Sequence, residues 1–278
     1  MAVPFYRHEL GQRELDAIAE VFQGAILTTG EWVSRFEKRF AEYLGARRAL
    51  GVTSCTGALH LSLLAWDIGP GDEVITTPLT WVATANVILA VGARPVFVDV
   101  DADTRNMDLG RVPAAVTPRT KAIIPVDLAG LPVDRDALHR TARDCGLRVV
   151  EDAAQSLGSS WGGRPIGSSF GAGRDFVSFS FHANKNITSG EGGIIVTDDP
   201  ELFRRAVIYS DQGGQFWTSH AGVRDTVGGQ PIIGENLRMN EITGAILGCQ
   251  LQKLSEILNR INEISFNSSL MREMRAIA

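Results

Sequence analysis

The sequence has no long apolar run, and its first residues lack the pattern of a secretory leader. No uncharged apolar stretch reaches the roughly 20 residues that a membrane-spanning helix requires. The first residues, MAVPFYRHELGQRELD, lack the basic segment followed by an apolar one that marks a signal peptide. We therefore expect no membrane partner and a cytoplasmic location.

An excess of basic charge is also lacking. The chain has 27 Lys and Arg against 32 Asp and Glu, a net charge of −5, and its basic residues are scattered, which argues against a nucleic acid partner. Its three cysteines, Cys55, Cys145 and Cys249, form no CxxC pair, and their odd number fits a reducing compartment. The five histidines lack the spacing of a metal site, so we expect no metal.

The sequence does contain a regular alternation of strand and helix patterns. From about residue 49, short β-branched runs alternate with amphipathic segments, which predicts an α/β fold. The runs are mostly continuously apolar, as in a sheet covered by helices on both faces. Strands are predicted at Ala49–Thr53, Glu73–Thr76, Pro95–Val100, Lys121–Val126, Leu147–Glu151, Asp175–Phe181 and Gly193–Thr197, and helices at Gly57–Ala65, Trp81–Val91, Asp134–Cys145 and Pro200–Ile208.

Other patterns flank this core. Gly11–Phe22 and Glu31–Leu44 read as two helices before it, and Gln212–Gln230 as a long glycine-rich loop after it. Glu241–Ile261 has the apolar periodicity of a long amphipathic helix. We expect an N-terminal helical segment over residues 1–45, a large α/β domain over 46–235, and the long helix leading into a truncated small domain over 236–278.

Lys185 is a candidate nucleophile. It follows the aromatic run FVSFSF, and the carboxyl ends of parallel strands are where such sheets bind ligands. An amine in this setting can attack a carbonyl and form a Schiff base. The alternative is an ordinary surface lysine.

Pyridoxal 5′-phosphate (PLP) chemistry needs further groups, and the sequence offers a candidate for each. Asp152 follows the strand LRVV and could hold the pyridine nitrogen, with a helix N-cap as the alternative. The segment TSCTG, between a strand and a helix, could bind a phosphate or merely cap the helix. Trp81 could stack on the ring or pack in the core.

Eight segments in order carry a family resemblance: TSCTGALH, PLTWVATANVI, VDVDADT, VTPRTKAIIPVDLAG, VEDAAQSLG, FSFHANKN, GEGGIIVT and GENLRMNE. Together they resemble the PLP-dependent sugar aminotransferases of the DegT/DnrJ/EryC1/StrS family, over essentially the whole chain. SFHANKNI is particularly similar to the lysine segment of the nucleotide-sugar 4-aminotransferases. The resemblance implies an aspartate aminotransferase-like fold (PLP fold type I) with a mainly parallel seven-stranded sheet and most of the small C-terminal domain missing.

The resemblance also implies site residues and a shared active site. The family works as homodimers with shared active sites, so a two-fold homodimer is expected. Lys185 and Asp152 would be catalytic, as the Schiff-base lysine and the partner of the pyridine nitrogen. The other implied cofactor contacts are Gln155 near the phenolic oxygen, Trp81 on the ring, Thr56, Gly57 and Ser180 at the phosphate, and Asn236 reaching the phosphate from the neighbouring subunit.

The implied reaction moves an amino group from glutamate or glutamine to a ketosugar, nucleotide-linked in the expected case, through pyridoxamine phosphate in a ping-pong cycle. Two alternatives stay open. Some relatives are sugar dehydratases with histidine in place of the lysine, which Lys185 opposes although His182 is near. The other is a truncated PLP-binding or regulatory protein without turnover. The segments AGRDFVS and GGQFWTSHAGVRDTVGGQPI depart from the family pattern.

Overall fold

A computed structural model describes residues 6–168, 175–213 and 232–267. Seven strands form one sheet in the order β1-β9-β8-β5-β4-β2-β3, and β9 alone runs antiparallel to its neighbours. This arrangement confirms the predicted mainly parallel seven-stranded sheet. The strands are β1 (Arg48–Val52), β2 (Glu73–Thr76), β3 (Arg94–Phe97), β4 (Thr120–Ile124), β5 (Arg148–Asp152), β8 (Phe176–Ser180) and β9 (Gly193–Thr197), with a separate hairpin of β6 (Ser160–Trp161) and β7 (Arg164–Pro165).

Helices lie on both faces of this sheet. Those on one face, α3, α4 and α7, share a hydrophobic cluster with strand residues such as Val150, whereas α6 packs on the other face with Val149. α2 and α8 also pack on that other face. The helices are α1 (Gln12–Gln23), α2 (Glu31–Leu44), α3 (Cys55–Ala65), α4 (Ala83–Ala90), α5 (Val112–Ala115), α6 (Arg135–Asp144), α7 (Pro200–Ser210) and α8 (Glu241–Asn267), and the 3-10 turns are Leu109–Arg111 and Leu128–Gly130.

Two helix starts differ from the prediction for local reasons. α3 begins two residues early because Ser54 is its N-cap and accepts a hydrogen bond from the Gly57 N–H at 3.0 Å. α4 begins two residues late, and the preceding turn is closed by a bond from the Thr84 N–H to the Trp81 carbonyl at 3.1 Å.

The first residue of α8 connects this helix to the start of α2. The Glu241 carboxylate accepts hydrogen bonds from the backbone N–H groups of Gly30, Trp32 and Val33 at 2.9 to 3.0 Å. These groups lie at the start of α2, where a carboxylate both satisfies unpaired donors and complements the helix dipole. The boundaries predicted at residues 45 and 235 stay predictions.

None of the helices in the described ranges combines the length and the apolar character needed to cross a membrane. The predicted loop Gln212–Gln230 lies outside the described residues beyond Gly213, and so does the first part of the AGRDFVS segment.

Candidate active site

A cavity of about 590 Å³ opens at the carboxyl ends of β5 and β8. The start of α3, the turn before α4 and the segment after β8 complete its walls. Because the carboxyl ends of parallel strands meet at one edge, side chains distant in sequence converge here. Six of the eight predicted site residues line this cavity: Thr56, Trp81, Asp152, Gln155, Ser180 and Lys185.

Lys185 is held at the cavity by the strand before it. Phe179 of β8 and Phe181, which directly follows β8, are fully buried. Their rings pack edge-on against Phe40 of α2, with centroids 5.5 and 5.7 Å away. Beyond Phe181 the chain turns, and the Lys185 N–H donates to the His182 carbonyl at 2.9 Å. The buried aromatic anchor therefore fixes where the half-buried lysine emerges.

Asp152 is the last residue of β5 and is buried. Its Oδ2 accepts from the Thr84 hydroxyl at 2.8 Å and its Oδ1 from the Ala154 N–H at 3.2 Å. Burial raises the pKa of this carboxyl, whereas those two donors and the nearby Lys185 amine lower it. The described residues just after it form turns, so the helix N-cap alternative is wrong.

The turn before α3 packs tightly against β9. A Cβ on Gly193, the first residue of β9, would lie 2.2 Å from the Ser54 carbonyl carbon, so only glycine permits this approach. Thr56, in the first turn of α3, lines the cavity, and so does Ser180 at the end of β8. These hydroxyls at a helix N-terminus can bind an anion.

Gln155 faces the cavity with a defined amide orientation. Its Oε1 accepts a hydrogen bond from the Ala129 N–H at 3.0 Å. Ala129 is in the left-handed region, with φ of 54°, a conformation that costs energy for a residue with a Cβ. This bond occupies one lone pair of the amide oxygen and leaves the NH2 as a hydrogen-bond donor for a ligand.

Trp81 stands at the mouth of the cavity with 76% of its surface exposed. The core-packing alternative for this residue is therefore wrong. Gly57 and Asn236 are not among the described residues that line the cavity. The Gly57 N–H is bonded to Ser54, and Asn236 is exposed in a bridge to Asp211, so their phosphate roles stay predictions.

Sequence reasoning missed several residues that the fold brings to this site. Thr84 bonds Asp152 directly, and Thr80 lies 2.8 Å from Thr84. Cys55 places its Sγ 4.0 Å from Asp152 Oδ1. The spacing of Thr80 and Thr84, four residues apart at a helix start, could have shown that they share a face. Asn184 and Glu191 also line the cavity, and both approach His182, at 2.9 Å and 3.8 Å.

A family comparison matches nearly the whole chain. The model of the DegT/DnrJ/EryC1/StrS aminotransferase family covers residues 8–277. Among solved structures, DesV of S. venezuelae in complex with a ketimine intermediate is 38% identical, with a TM-score of 0.79 over 87% of this chain and 62% of that one.

Two further solved structures are similar to this chain. An aminotransferase from Psychrobacter cryohalolentis is 36% identical, with a TM-score of 0.80 over 91% of this chain and 65% of that one. Helicobacter pylori PseC, an aminotransferase involved in the biosynthesis of pseudoaminic acid, is 32% identical, with a TM-score of 0.79 over 91% and 66%. The chain spans less than two thirds of the length of DesV and of these two proteins. The similarity confirms the predicted fold class.

Proposed function

The chain belongs to the DegT/DnrJ/EryC1/StrS aminotransferase family, and from this premise we propose that it uses PLP to transfer an amino group to a ketosugar. The observation that carries the proposal is the meeting of Lys185 and the buried Asp152 in one cavity. An amine that can bond a carbonyl and a carboxylate that can hold a pyridine nitrogen are the two groups this cofactor requires.

The chemistry of the cavity walls fits PLP. Asp152 offers acceptor oxygens, which suit a protonated pyridine nitrogen. Gln155 offers its NH2, and this donor suits the anionic phenolic oxygen. The hydroxyls of Thr56 and Ser180, with the N-terminus of the 11-residue helix α3, suit the phosphate. The exposed ring of Trp81 would cover one face of the pyridine.

Each of these residues has a defined task in the proposed reaction. When bound, PLP supplies the electron sink for the carbon that loses or gains a proton. Lys185 would hold the cofactor at its carbonyl carbon through Nζ, and its amine would move a proton to and from the donor's α-carbon. Asp152 would hold the pyridine nitrogen in its protonated form, so that the electron sink is effective.

The finer features of the reaction are also proposals. Glutamate or glutamine is the expected amino donor, and a nucleotide-linked ketosugar the expected acceptor, because the lysine segment SFHANKNI is similar to that of nucleotide-sugar 4-aminotransferases. A lysine at position 185 favours transfer over the dehydratase alternative. The location is expected to be cytoplasmic, as the sequence suggests.

A homodimer with shared sites is part of the proposal. Asn236 is exposed and lies outside its own cavity, as expected for a residue that completes a neighbour's site. Apolar side chains around α4 and β3 are also more than half exposed, namely Val82, Leu89 and Phe97. A second copy of the chain would cover such surfaces.

The test is a half-reaction with a single substrate. PLP-loaded protein is incubated with L-glutamate or L-glutamine, and the 2-oxo acid and pyridoxamine phosphate that form are quantified. We expect one equivalent of each per loaded site from wild type and none from Lys185→Ala. Lys121→Ala is the matched control, since Lys121 is exposed and bonds only the Pro118 carbonyl among the contacts described. PLP bound at Lys185 without any transfer would instead support the non-catalytic alternative.

A further inference from the structure

We propose that Thr80 and Thr84 form a positioning relay that holds the Asp152 carboxylate ionised and aimed at the pyridine nitrogen. The inference rests on the proposed function, because it concerns how the cofactor's partner is kept ready. Neither threonine needs to touch the cofactor through its hydroxyl for this role. The relay is defined by three oxygens in succession: Thr80 Oγ1, Thr84 Oγ1 and Asp152 Oδ2.

The distances support a continuous relay. Thr80 Oγ1 lies 2.8 Å from Thr84 Oγ1, which lies 2.8 Å from Asp152 Oδ2. Both contacts are at the usual length of a strong O–H···O hydrogen bond. Thr84 is fully buried, so its hydroxyl has no water to replace these partners.

The direction of each bond follows from the number of protons. Thr84 has one hydroxyl proton and three acceptors in reach: Asp152 Oδ2 and Thr80 Oγ1, each at 2.8 Å, and the Trp81 carbonyl at 3.2 Å. An ionised carboxylate is the strongest acceptor of the three, so the proton points to Asp152. Thr80 must then donate its own proton to Thr84 Oγ1. Each hydroxyl in this order polarises the next, which strengthens the bond to the carboxylate.

The surroundings of Asp152 explain why such a relay is needed. Burial raises the pKa of this carboxyl, and so would keep it neutral. Lys185 lowers that pKa, while Asp127, beyond the end of β4, is a second carboxylate close enough to interact. Cys55 contributes only a thiol at 4.0 Å, a weak donor. Among the described side chains, Thr84 is therefore the hydroxyl that stabilises the charge on Oδ2.

The test compares four variants loaded with PLP that carries ¹⁵N in the pyridine ring. Thr84→Val removes the relay, Thr84→Ser restores the hydroxyl, and Thr80→Val removes only the outer donor. Thr76→Val is the matched control, because its buried hydroxyl donates to the Ile124 carbonyl at 2.9 Å and not to Asp152. The readouts are the ¹⁵N shift as a function of pH, the pH profile of the glutamate half-reaction, and its separate rate and KM.

Removal of a donor from the ionised carboxylate raises its pKa, so the acidic limb of both profiles should move to higher pH in Thr84→Val. The rate should fall about ten-fold, which corresponds to about 1.4 kcal/mol, with little change in KM. Thr84→Ser should return both readouts to nearly wild type, Thr80→Val should lie between, and Thr76→Val should leave the profiles where they are.

Two failures are distinguishable. If PLP binds on Lys185 and the profiles of Thr84→Val and Thr80→Val coincide with wild type, the relay is wrong and the proposed function stands. If wild type binds no PLP, the proposed function fails and the inference fails with it. Should Thr84→Val not fold, the shift in Thr80→Val and the unchanged profile of Thr84→Ser decide the matter.

Discussion

Glu151 and Asp152 are consecutive carboxylates of β5, both buried, and they point to opposite faces of the sheet. Glu151 faces α6, where the Arg135 guanidinium bonds its Oε1 at 2.6 Å and His139 and Asp175 lie close by. We call this group of four residues the Arg135 cluster. It lies away from the cavity that Asp152 faces, and His139 and Asp175 line a separate cavity.

The surroundings of Asp152 are chemically different. Its oxygens accept from a hydroxyl and a backbone N–H, and its other neighbours line a cavity. In the Arg135 cluster a guanidinium bonds the buried carboxylate, whereas the groups that bond Asp152 are a hydroxyl and a backbone N–H, with the Lys185 amine nearby. A carboxylate held by neutral donors keeps its charge available for a ligand. The two residues therefore teach that burial alone does not distinguish a structural carboxylate from a functional one; the chemistry of the partners does.

The largest effect should come from Asp152→Asn. The variant loses the charge that keeps the pyridine nitrogen protonated, and we expect the half-reaction to slow about 10²- to 10³-fold, the cost of removing one preorganised electrostatic partner. PLP should still bind, and the unfolding free energy should stay within about 1 kcal/mol of wild type because the hydrogen bonds are largely kept. Single-turnover kinetics measure the half-reaction rate, and denaturant titration measures the unfolding free energy. Wild-type activity in this variant would mean that the site is wrongly assigned.

Glu151→Gln should show the opposite pattern. Burial raises the pKa of Glu151 to about 8, against the lowering effect of the Arg135 guanidinium. Above that pH, Glu151→Gln leaves this guanidinium buried without its bonded counter-charge, and we expect a loss of about 3 kcal/mol in unfolding free energy. Activity per folded molecule should change little. The control is the double variant Arg135→Met/Glu151→Leu, which removes both charges and should recover most of the stability. A large loss of activity per folded molecule in Glu151→Gln would contradict the purely structural role assigned to Glu151.

Asp175 and His139 of the Arg135 cluster should have opposite effects on how stability depends on pH. Burial raises the pKa of Asp175 to about 6 and lowers that of His139 to about 4. The raised carboxyl pKa makes stability fall as pH rises from its unfolded value of about 3.9 towards 6, and the lowered imidazole pKa makes stability fall as pH drops from about 6.5 towards 4. Glu151, whose pKa burial raises to about 8, adds a further fall in stability as pH rises towards that value.

Single variants should separate these trends. Relative to wild type, His139→Gln should lose stability as pH rises through this range, and Asp175→Asn should lose it as pH falls, each by at most about 1.4 kcal/mol per pH unit. Denaturant midpoints from pH 4 to 7 provide the measurement. Parallel curves for wild type and both variants would contradict the account.

The smallest effect should come from Cys55→Ala, on the cavity side. Its thiol is a weak donor at 4.0 Å from Asp152, so the half-reaction rate should stay within about two-fold of wild type. Burial raises the pKa of this thiol, which keeps it protonated at neutral pH. Rates of wild type and variant measured in parallel suffice. A loss as large as that expected for Thr84→Val would show that the thiol, not the hydroxyl relay, carries the stabilisation of Asp152.

Much of the fold could be predicted because the strands are continuous apolar runs with clear ends. β2 and β9 lie where the sequence places them. β3 ends at Phe97, earlier than expected, although the Val98 N–H still bonds the Thr76 carbonyl at 2.9 Å before the chain turns away. Apolar periodicity shows that a run is buried, but not where its ladder of hydrogen bonds stops.

The partners within the site could not be predicted in the same way. Thr84 and Asp152 are 68 residues apart, and only the packing of α4 beside the sheet brings them together. The sequence also contains no sign that Ala129 adopts a positive φ and turns the Gln155 amide. Strand ends located Lys185 and Asp152, whereas the groups that tune and orient them required the three-dimensional packing.

The central claim is that the cavity at the ends of β5 and β8 holds PLP on Lys185. Borohydride reduction of the PLP-loaded chain, followed by peptide mapping, tests it directly, because the sequence contains only four lysines: Lys38, Lys121, Lys185 and Lys253. The account predicts one pyridoxyl adduct per chain, on Lys185. An adduct on any of the other three lysines, or no adduct at all, would contradict it.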